Sequence, residues 1–319
     1  MGFKHYIKLM RPHQWYKNLL VVLPILFVDF RDPLPAIFNL ANYPPLILGF
    51  IAFCAVSSAG YIFNDVKDVE EDAAHPEKRN RPLPSGDVSR QSALVIGAGL
   101  MIGGITLSFI NSTFFLLIIM YIINSQAYNY FLRNYAVVDV VTIGIGFIIR
   151  AIAGTFLIGV EFTSWLILGV FFVALVLGFS KRKNELYLLG DEAAQHKKVF
   201  TQYNNEFLNH AVASSATWLV IFYTLYVYQN FGEFFETQPV ILTVPVVAGL
   251  VLRYVFLVFI GHPIGRKPHL AIKDKGMFVG FLIFGAVLAI TILRIGDETI
   301  WTILFNFLQS IVPPPPIIP

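Results

Sequence analysis

A single cysteine, Cys54, serves the whole 319-residue chain, so no disulfide can form within it. A lone thiol inside an apolar run is a packing residue rather than a reactive one. Charge is scarce too: 13% of residues are charged against 56% hydrophobic. That balance excludes a sizeable soluble domain, although length alone would allow two. The chain carries no P-loop, GxGxxG, zinc-ligand spacing, nucleophile triad or convincing internal repeat. The first apolar run lacks a small-residue cleavage site and leads into further apolar runs, which argues against a cleaved signal peptide.

What is present is apolar sequence in lengths that match a bilayer. Nine spans are expected at 15–31, 44–63, 91–110, 114–132, 136–158, 163–180, 211–230, 239–260 and 276–294. The first is the weakest, with Pro24 in its middle. The basic residues set the orientation. With the N-terminus in the cytoplasm, 19 of the 23 Lys and Arg fall on the cytoplasmic side. Arg31 and Arg294 fall opposite, and Arg150 and Arg253 lie inside spans. The formal charge of +3 is explained by basic loops beside a membrane and needs no nucleic acid. The expectation is an all-α, polytopic integral protein of the cytoplasmic membrane, one embedded domain over 1–319. Its N-terminus is inside, its C-terminus outside, and residues 295–319 form a tail that contains Pro313–Pro316. Residues 299–311 are apolar but short, and suit a helix lying in the interface.

Two long cytoplasmic loops stand out, about 64–90 and 181–210. The first opens Asn64-Asp65-Val66-Lys67-Asp68-Val69-Glu70-Glu71-Asp72, directly after a span. On a continuous helix Asp65, Asp68 and Asp72 would share an arc of roughly 60° over about 10 Å. Like charges on one face repel, so the stripe works against folding unless a cation occupies it. Hard oxygens in that number suit Mg²⁺, which bridges carboxylates to substrate phosphates. His75-Pro76-Glu77-Lys78-Arg79-Asn80-Arg81 follows at once. Lys78, Arg79 and Arg81 are placed to neutralise a departing diphosphate.

Other residues depart from plain membrane filler. Arg150, in mid-span, costs about 2.5–3.5 kcal/mol at the bilayer centre even on lenient scales, so it must face the interior. Asp139 lies three turns earlier on the same helix, and Tyr128, Tyr130 and Arg133 end the preceding span on the acidic side. Arg253 can snorkel and is read as structural. His13 and Trp15 read as an interface belt, with Arg11 and Lys17 available for headgroups. The second loop opens Lys181-Arg182-Lys183-Asn184-Glu185.

The Asn64, Asp65, Asp68 and Asp72 pattern resembles the hallmark Asn-Asp-x-x-Asp-x-x-x-Asp of the UbiA superfamily of intramembrane prenyltransferases, and the likeness covers nearly the whole chain. It implies nine transmembrane helices around a central cavity, capped by cytoplasmic loops, with Mg²⁺ bridging acids to a diphosphate. Prenyl-transferring members carry a second Asp-x-x-x-Asp motif on the sixth-to-seventh loop. Here that position reads Lys181 to Glu185, and Asp191-Glu192 lacks the spacing. This pattern is similar to the branch that includes decaprenyl-phosphate phosphoribosyltransferase, as are Arg11-Pro-His-Gln-Trp-x-Lys17-Asn18, Ala74-His75-Pro76-x-Lys78-Arg79 and Gly146-Phe-x-x-Arg150-Ala-x-Ala-Gly154. The resemblance implies phosphoribosyl pyrophosphate as donor and a polyprenyl phosphate as acceptor. Asp65, Asp68 and Asp72 would hold the metal, and Asn64, Lys78, Arg79 and Arg81 the pyrophosphate. Lys17, Tyr128, Arg133, Asp139, Arg150, Lys181, Arg182 and Glu185 would line the rest of the site. Two alternatives stand beside it: an isoprenoid transferase acting on an aromatic ring or lipid alcohol, and a non-enzymatic transporter. The sequence leaves a homo-oligomer open.

Overall fold

The computed structural model of the chain describes residues 3–26, 39–74, 78–161, 164–190, 197–231 and 239–292. Among these the architecture is all-helical, without strands. Two compact units divide the chain: 1–162 with 197–202, and 163–196 with 203–319. Residues 27–31 of the first expected span, His75–Glu77, Asp191-Glu192, Arg294, the 299–311 segment and the proline tail lie outside the described residues.

The first unit begins with α1 (Phe3–Met10) and continues as 3₁₀ turns over Pro12–Val21 and Leu23–Leu26. The α-helix expected from residue 15 therefore does not form here. Arg11 sits in the left-handed region, φ 54° and ψ 56°, immediately before Pro12. Pro12 and Pro24 remove two backbone donors, which favours short turns over a continuous ladder.

The long α2 (Tyr43–Lys67) starts with prolines in its first turn, where missing N–H groups cost nothing. A short α3 (Val69–Ala74) follows after a break at Asp68. Next come α4 (Arg90–Ser108), α5 (Ser112–Tyr130) and α6 (Val138–Ile158). Ser89 Oγ accepts from Ser92 N to cap α4, and Asn111 Oδ1 accepts from Phe114 N to cap α5. The core gathers Ala52, Phe53 and Val56 of α2, Phe114, Ile118 and Tyr121 of α5, and Ile149 and Ala153 of α6. Phe53 meets Phe114 and Tyr121 edge-on, with centroids 5.8 and 5.4 Å apart. Val21 lies so close to α6 that a Cβ on Gly154 would come within 1.9 Å of its carbonyl oxygen. Only glycine fits there, and that is how the N-terminal turns reach the helix.

The second unit contains α7 (Ser164–Leu189), α8 (Asn205–Phe231), α9 (Thr243–Phe259) and α10 (Lys275–Ile292). Its core joins Val176 of α7 and Ala216 of α8 to Tyr254, Leu257 and Val258 of α9, with Ile264 and Met277. The span expected to end at 180 runs on to Leu189, so Lys181–Glu185 belong to a helix and not to a loop. Its residues are good helix formers up to Gly190, whose φ of +52° ends it.

Five described helical segments are long and apolar enough to cross a membrane: Leu40–Lys67, Arg90–Ser108, Val138–Ile158, Asn205–Gln229 and Val240–Phe259. Large apolar side chains stay exposed on them, including Val95, Ile102, Leu252 and Phe256. Such faces suit lipid, which does not penalise them as water does. The chain is an integral membrane protein.

Candidate active site

The acidic site forms where α2 ends. Helical geometry holds as far as Lys67, and Asp68 takes φ −93° and ψ 15° as the C-cap. The chain then enters α3, with Asp68 N still donating to Asn64 O at 2.9 Å and Asp72 N to Asp68 O at 2.8 Å across the break. Asp65 and Asp72 are 2% and 1% exposed. Both reach one guanidinium: Arg81 Nη1 donates to Asp65 Oδ1 at 3.2 Å and to Asp72 Oδ2 at 2.5 Å. Arg11 Nη2 also donates to Asp65 Oδ1, with its guanidinium 5.1 Å from the Tyr61 ring centroid. Asp68 turns elsewhere and accepts from Arg133 Nη1 at 3.1 Å.

Three carboxylates are thus matched by three arginines. Unpaired, carboxylates this deeply buried would be strongly destabilising. Among the described residues no three His, Cys, Asp or Glu side chains are gathered closely enough to hold a metal alone. Asp65 and Asp72 nevertheless converge on one cation position. Beside them Asn64 Oδ1 is buried and accepts no hydrogen bond. Two carboxylates and an orphaned amide oxygen fit Mg²⁺, which takes one or two carboxylates and completes its shell with water and substrate phosphates.

Arg11 is the functional candidate that sequence reasoning misplaced at the headgroup belt. Its left-handed backbone costs about 1–3 kcal/mol for a non-glycine residue, a strain typical of sites where a side chain must be aimed. Its sequence signals were a place directly before a proline and membership of the Arg11-Pro-His-Gln-Trp-x-Lys17-Asn18 run. A second strained position, Val137 with φ 67°, precedes α6. Gln202 holds this turn from both sides, accepting from Ala136 N at 3.0 Å and donating to Asn134 O at 2.8 Å. No sequence signal pointed to Gln202.

Among the other expected residues, Asp139 is fully buried in the first turn of α6, where the positive end of the helix favours a carboxylate. Tyr128 is half-buried near the end of α5, and Lys17 Nζ donates to Gln14 Oε1 at 3.2 Å. Arg79 is exposed in the Lys78–Asn80 turn.

Arg150, 5% exposed, faces the interior as expected and makes three strong bonds. Its Nε donates to Asn18 Oδ1 at 2.8 Å, Nη1 to Gly146 O at 2.8 Å and Nη2 to the Tyr121 hydroxyl at 2.7 Å. The guanidinium also lies 4.4 Å from the Tyr121 ring centroid. Asn18 in turn donates to Cys54 Sγ and Ser57 Oγ, both at 3.3 Å. This network ties the Pro12–Val21 turns to α2, α5 and α6.

In the second unit Arg182 Nη1 donates to Glu185 Oε2 at 2.9 Å, and Lys181 Nζ lies 4.0 Å from Glu185 Oε1. Arg182 is buried, as are Ser180 and Asn184. Ser180 Oγ and Asn184 Nδ2 find no hydrogen-bond partner. Arg253 snorkels to Asp274, donating at 3.2 and 2.8 Å. These bonds, first the one from Arg253 and then one from Met277 N–H, hold the Asp274 carboxyl at about 2.

The signature of the UbiA prenyltransferase family matches residues 34–263. The chain belongs to that family. This UbiA chain is 32% identical over 231 residues to decaprenyl-phosphate phosphoribosyltransferase of Mycolicibacterium smegmatis, covering 70% of each. It is 30% identical over 298 residues to the enzyme of the same name from Corynebacterium glutamicum, 90% of this chain and 87% of that one. The structure of a UbiA homolog from Archaeoglobus fulgidus bound to GPP and Mg²⁺ superposes with a TM-score of 0.65. It covers 88% of this chain and 99% of that one at 18% identity, a likeness of fold.

Proposed function

We propose that the chain transfers the 5-phosphoribosyl group of phosphoribosyl pyrophosphate to a polyprenyl phosphate and releases pyrophosphate. The observation that carries this reading is the alternation of charge around Asp65 and Asp72. Two buried carboxylates sit among Arg11, Arg81 and Arg133, in a chain similar over most of its length to phosphoribosyltransferases that act on decaprenyl phosphate. Both substrates bring phosphates. A cluster this rich in guanidinium groups suits such substrates.

Asn64, Asp65 and Asp72 would hold Mg²⁺, with Asp68 beside them. When bound, the ion supplies Lewis-acid stabilisation of the negative charge gathering on pyrophosphate. Arg81, Arg79 and Lys78 take up the departing charge from the protein side. The bond between the anomeric carbon and the pyrophosphate oxygen breaks, and its electron pair leaves with pyrophosphate. A phosphate oxygen of the lipid attacks the same carbon and forms the new C–O bond. That nucleophile is already anionic, so the reaction needs no strong general base. Lys17 and Arg133 steer the acceptor phosphate, with Tyr128 and Asp139 at the adjoining helix ends. Arg150 holds the turn that carries Lys17 and Asn18. Arg182 and Lys181 are assigned to phosphate binding, and Glu185 orients them.

The same reading keeps nine crossings around an internal cavity in one embedded domain, with the N-terminus and basic loops cytoplasmic. The five segments of spanning length and the apolar Lys275–Ile290 support it. The second reading, isoprenoid transfer from a polyprenyl diphosphate, is favoured by the fold shared with the GPP-bound A. fulgidus homolog. One assay separates the two. Purified protein is incubated with Mg²⁺ and labelled phosphoribosyl pyrophosphate plus polyprenyl phosphate, or with labelled polyprenyl diphosphate plus an aromatic acceptor. Label passing from the soluble donor into the organic phase supports phosphoribosyl transfer. Turnover in the second mixture alone overturns it.

A further inference from the structure

The pairing of Arg11, Arg81 and Arg133 with Asp65, Asp72 and Asp68 carries a consequence for the order in which ligands bind. We propose that Arg11 and Arg81, which meet the two converging carboxylates, are resident counter-ions that stand in the cation position, with Arg133 on Asp68 beside them, and that Arg11 is a positioning residue. It leaves Asp65 for the diphosphate only when metal and diphosphate arrive together. This rests on the reading that Asp65 and Asp72 receive a metal–diphosphate complex.

Charge supplies the argument. Among the described contacts each of the three carboxylates already meets a guanidinium. A divalent cation entering alone must face cations already seated on its ligands. A diphosphate entering alone must face the buried carboxylates. Entering together, the metal takes the carboxylates and the displaced arginines take phosphate oxygens, so neither sign is left unmatched. Each ligand therefore raises the affinity of the other, and the coupling is reciprocal.

Arg11 is the arginine built for the exchange. Its left-handed backbone before Pro12 aims the side chain at Asp65 from a segment 54 residues away in sequence. The Tyr61 ring, 5.1 Å from the guanidinium, gives it a second contact that does not depend on the carboxylate. Its side chain is 17% exposed, and those of Arg81 and Arg133 are 31% and 32%, so all three have room to reorient.

The test uses the full chain in nanodiscs and Mn²⁺ as a paramagnetic probe, titrated with and without inorganic pyrophosphate. Arg11→Asn removes the charge while keeping a residue that tolerates the left-handed region, and Arg11→Lys keeps the charge. The wild-type chain is expected to bind Mn²⁺ at least about 10-fold more tightly with pyrophosphate than without. Arg11→Asn should bind Mn²⁺ alone about 10-fold more tightly than wild type, since one repelling charge next to a divalent ion is gone. Arg11→Lys should resemble wild type. Arg133→Gln, whose backbone is unconstrained, repeats the test at Asp68 and should move in the same direction. Equal or weaker Mn²⁺ binding by Arg11→Asn and Arg133→Gln, or wild-type binding that ignores pyrophosphate, overturns the inference. Failure here is distinct from failure of the proposed function. A chain that exchanges arginine for Mn²⁺ yet transfers no phosphoribosyl group keeps this inference and loses that reading. A chain that transfers the group but shows no tighter Mn²⁺ binding in the variants does the reverse.

Discussion

Replacing Arg150 by Met separates a structural clamp from a ligand-gripping arginine. The guanidinium donates at 2.7–2.8 Å to Asn18 Oδ1, Gly146 O and the Tyr121 hydroxyl. Hydrogen bonds from a charged group contribute about 1.5–3 kcal/mol each, so the gross loss is at least about 4.5 kcal/mol. Two effects offset it. Methionine fills much of the space, and the variant no longer buries a charge that costs about 2.5–3.5 kcal/mol in mid-bilayer. The acceptors are also not equally harmed. The Tyr121 hydroxyl can turn, and the Gly146 carbonyl keeps its place in the α6 ladder, whereas Asn18 is almost wholly buried and loses its main donor. The net expectation is a destabilisation of about 2–4 kcal/mol. In a chain of this size that lowers Tm by roughly 3–6 °C.

The assay is thermal unfolding in nanodiscs at a fixed scan rate, run beside KM for each substrate. Asn18→Leu and the double variant close the cycle, and a coupling of at least about 1 kcal/mol is expected because the two side chains are in direct contact. As a clamp, Arg150→Met lowers Tm and reduces use of both substrates together. An unchanged Tm with a selective rise in KM for the lipid phosphate would refute the clamp and assign Arg150 to the acceptor.

Asp65→Asn should lower turnover at least about 100-fold while Tm falls only slightly, because Arg11 and Arg81 are partly exposed and can turn to water; near-normal turnover would remove Asp65 from the site. Gly154→Ala places a Cβ against the Val21 carbonyl and should cost about 3 kcal/mol by thermal unfolding, while Gly169→Ala, with open space around it, should cost nothing. Asp274 is held at about 2 against an ordinary 3.8, so its stabilising contribution is whole above about pH 4 and is lost as pH falls through about 2. The Tm difference between wild type and Asp274→Asn should therefore be constant from pH 7 to 5 and shrink toward pH 2.5; a difference that does not change with pH would show that the carboxylate's charge is irrelevant.

The parts of the site readable in the sequence were those written in local spacing. Asn64, Asp65 and Asp72 follow an apolar span and end as a group of buried oxygens, as the acidic run suggested. Arg150 had to face inward because of its cost in lipid, and it does. The parts that were not readable depend on the backbone leaving a regular period. Nothing in Val66-Lys67-Asp68-Val69 announces the break at Asp68 or its contact with Arg133, since all four residues are compatible with a helix. The overrun of α7 through Lys181–Glu185 was legible in principle. Good helix formers continue to Gly190, and Arg182 and Glu185 pair across one turn. Reading the basic run as a loop gave its charge more weight than its propensity.

Arg11 shows most clearly why spacing alone falls short. A basic residue at the start of a membrane protein has an ordinary explanation at the headgroup level, and its distance from Asp65 in sequence carries no hint of contact. Its position follows from a backbone conformation that few non-glycine residues adopt, before a proline that bars a regular helix. Gly154 then lets the Pro12–Val21 turns lie directly on α6, and the Asn18–Arg150 bond fixes them there. Beside Arg11 itself Ser58 Oγ donates to Met10 O and accepts from Trp15 Nε1, so the segment is anchored next to Arg11 as well as at the Gly154 and Arg150 contacts. Weakening that anchor, at Gly154 or Arg150, should therefore disturb the acidic site without touching a carboxylate.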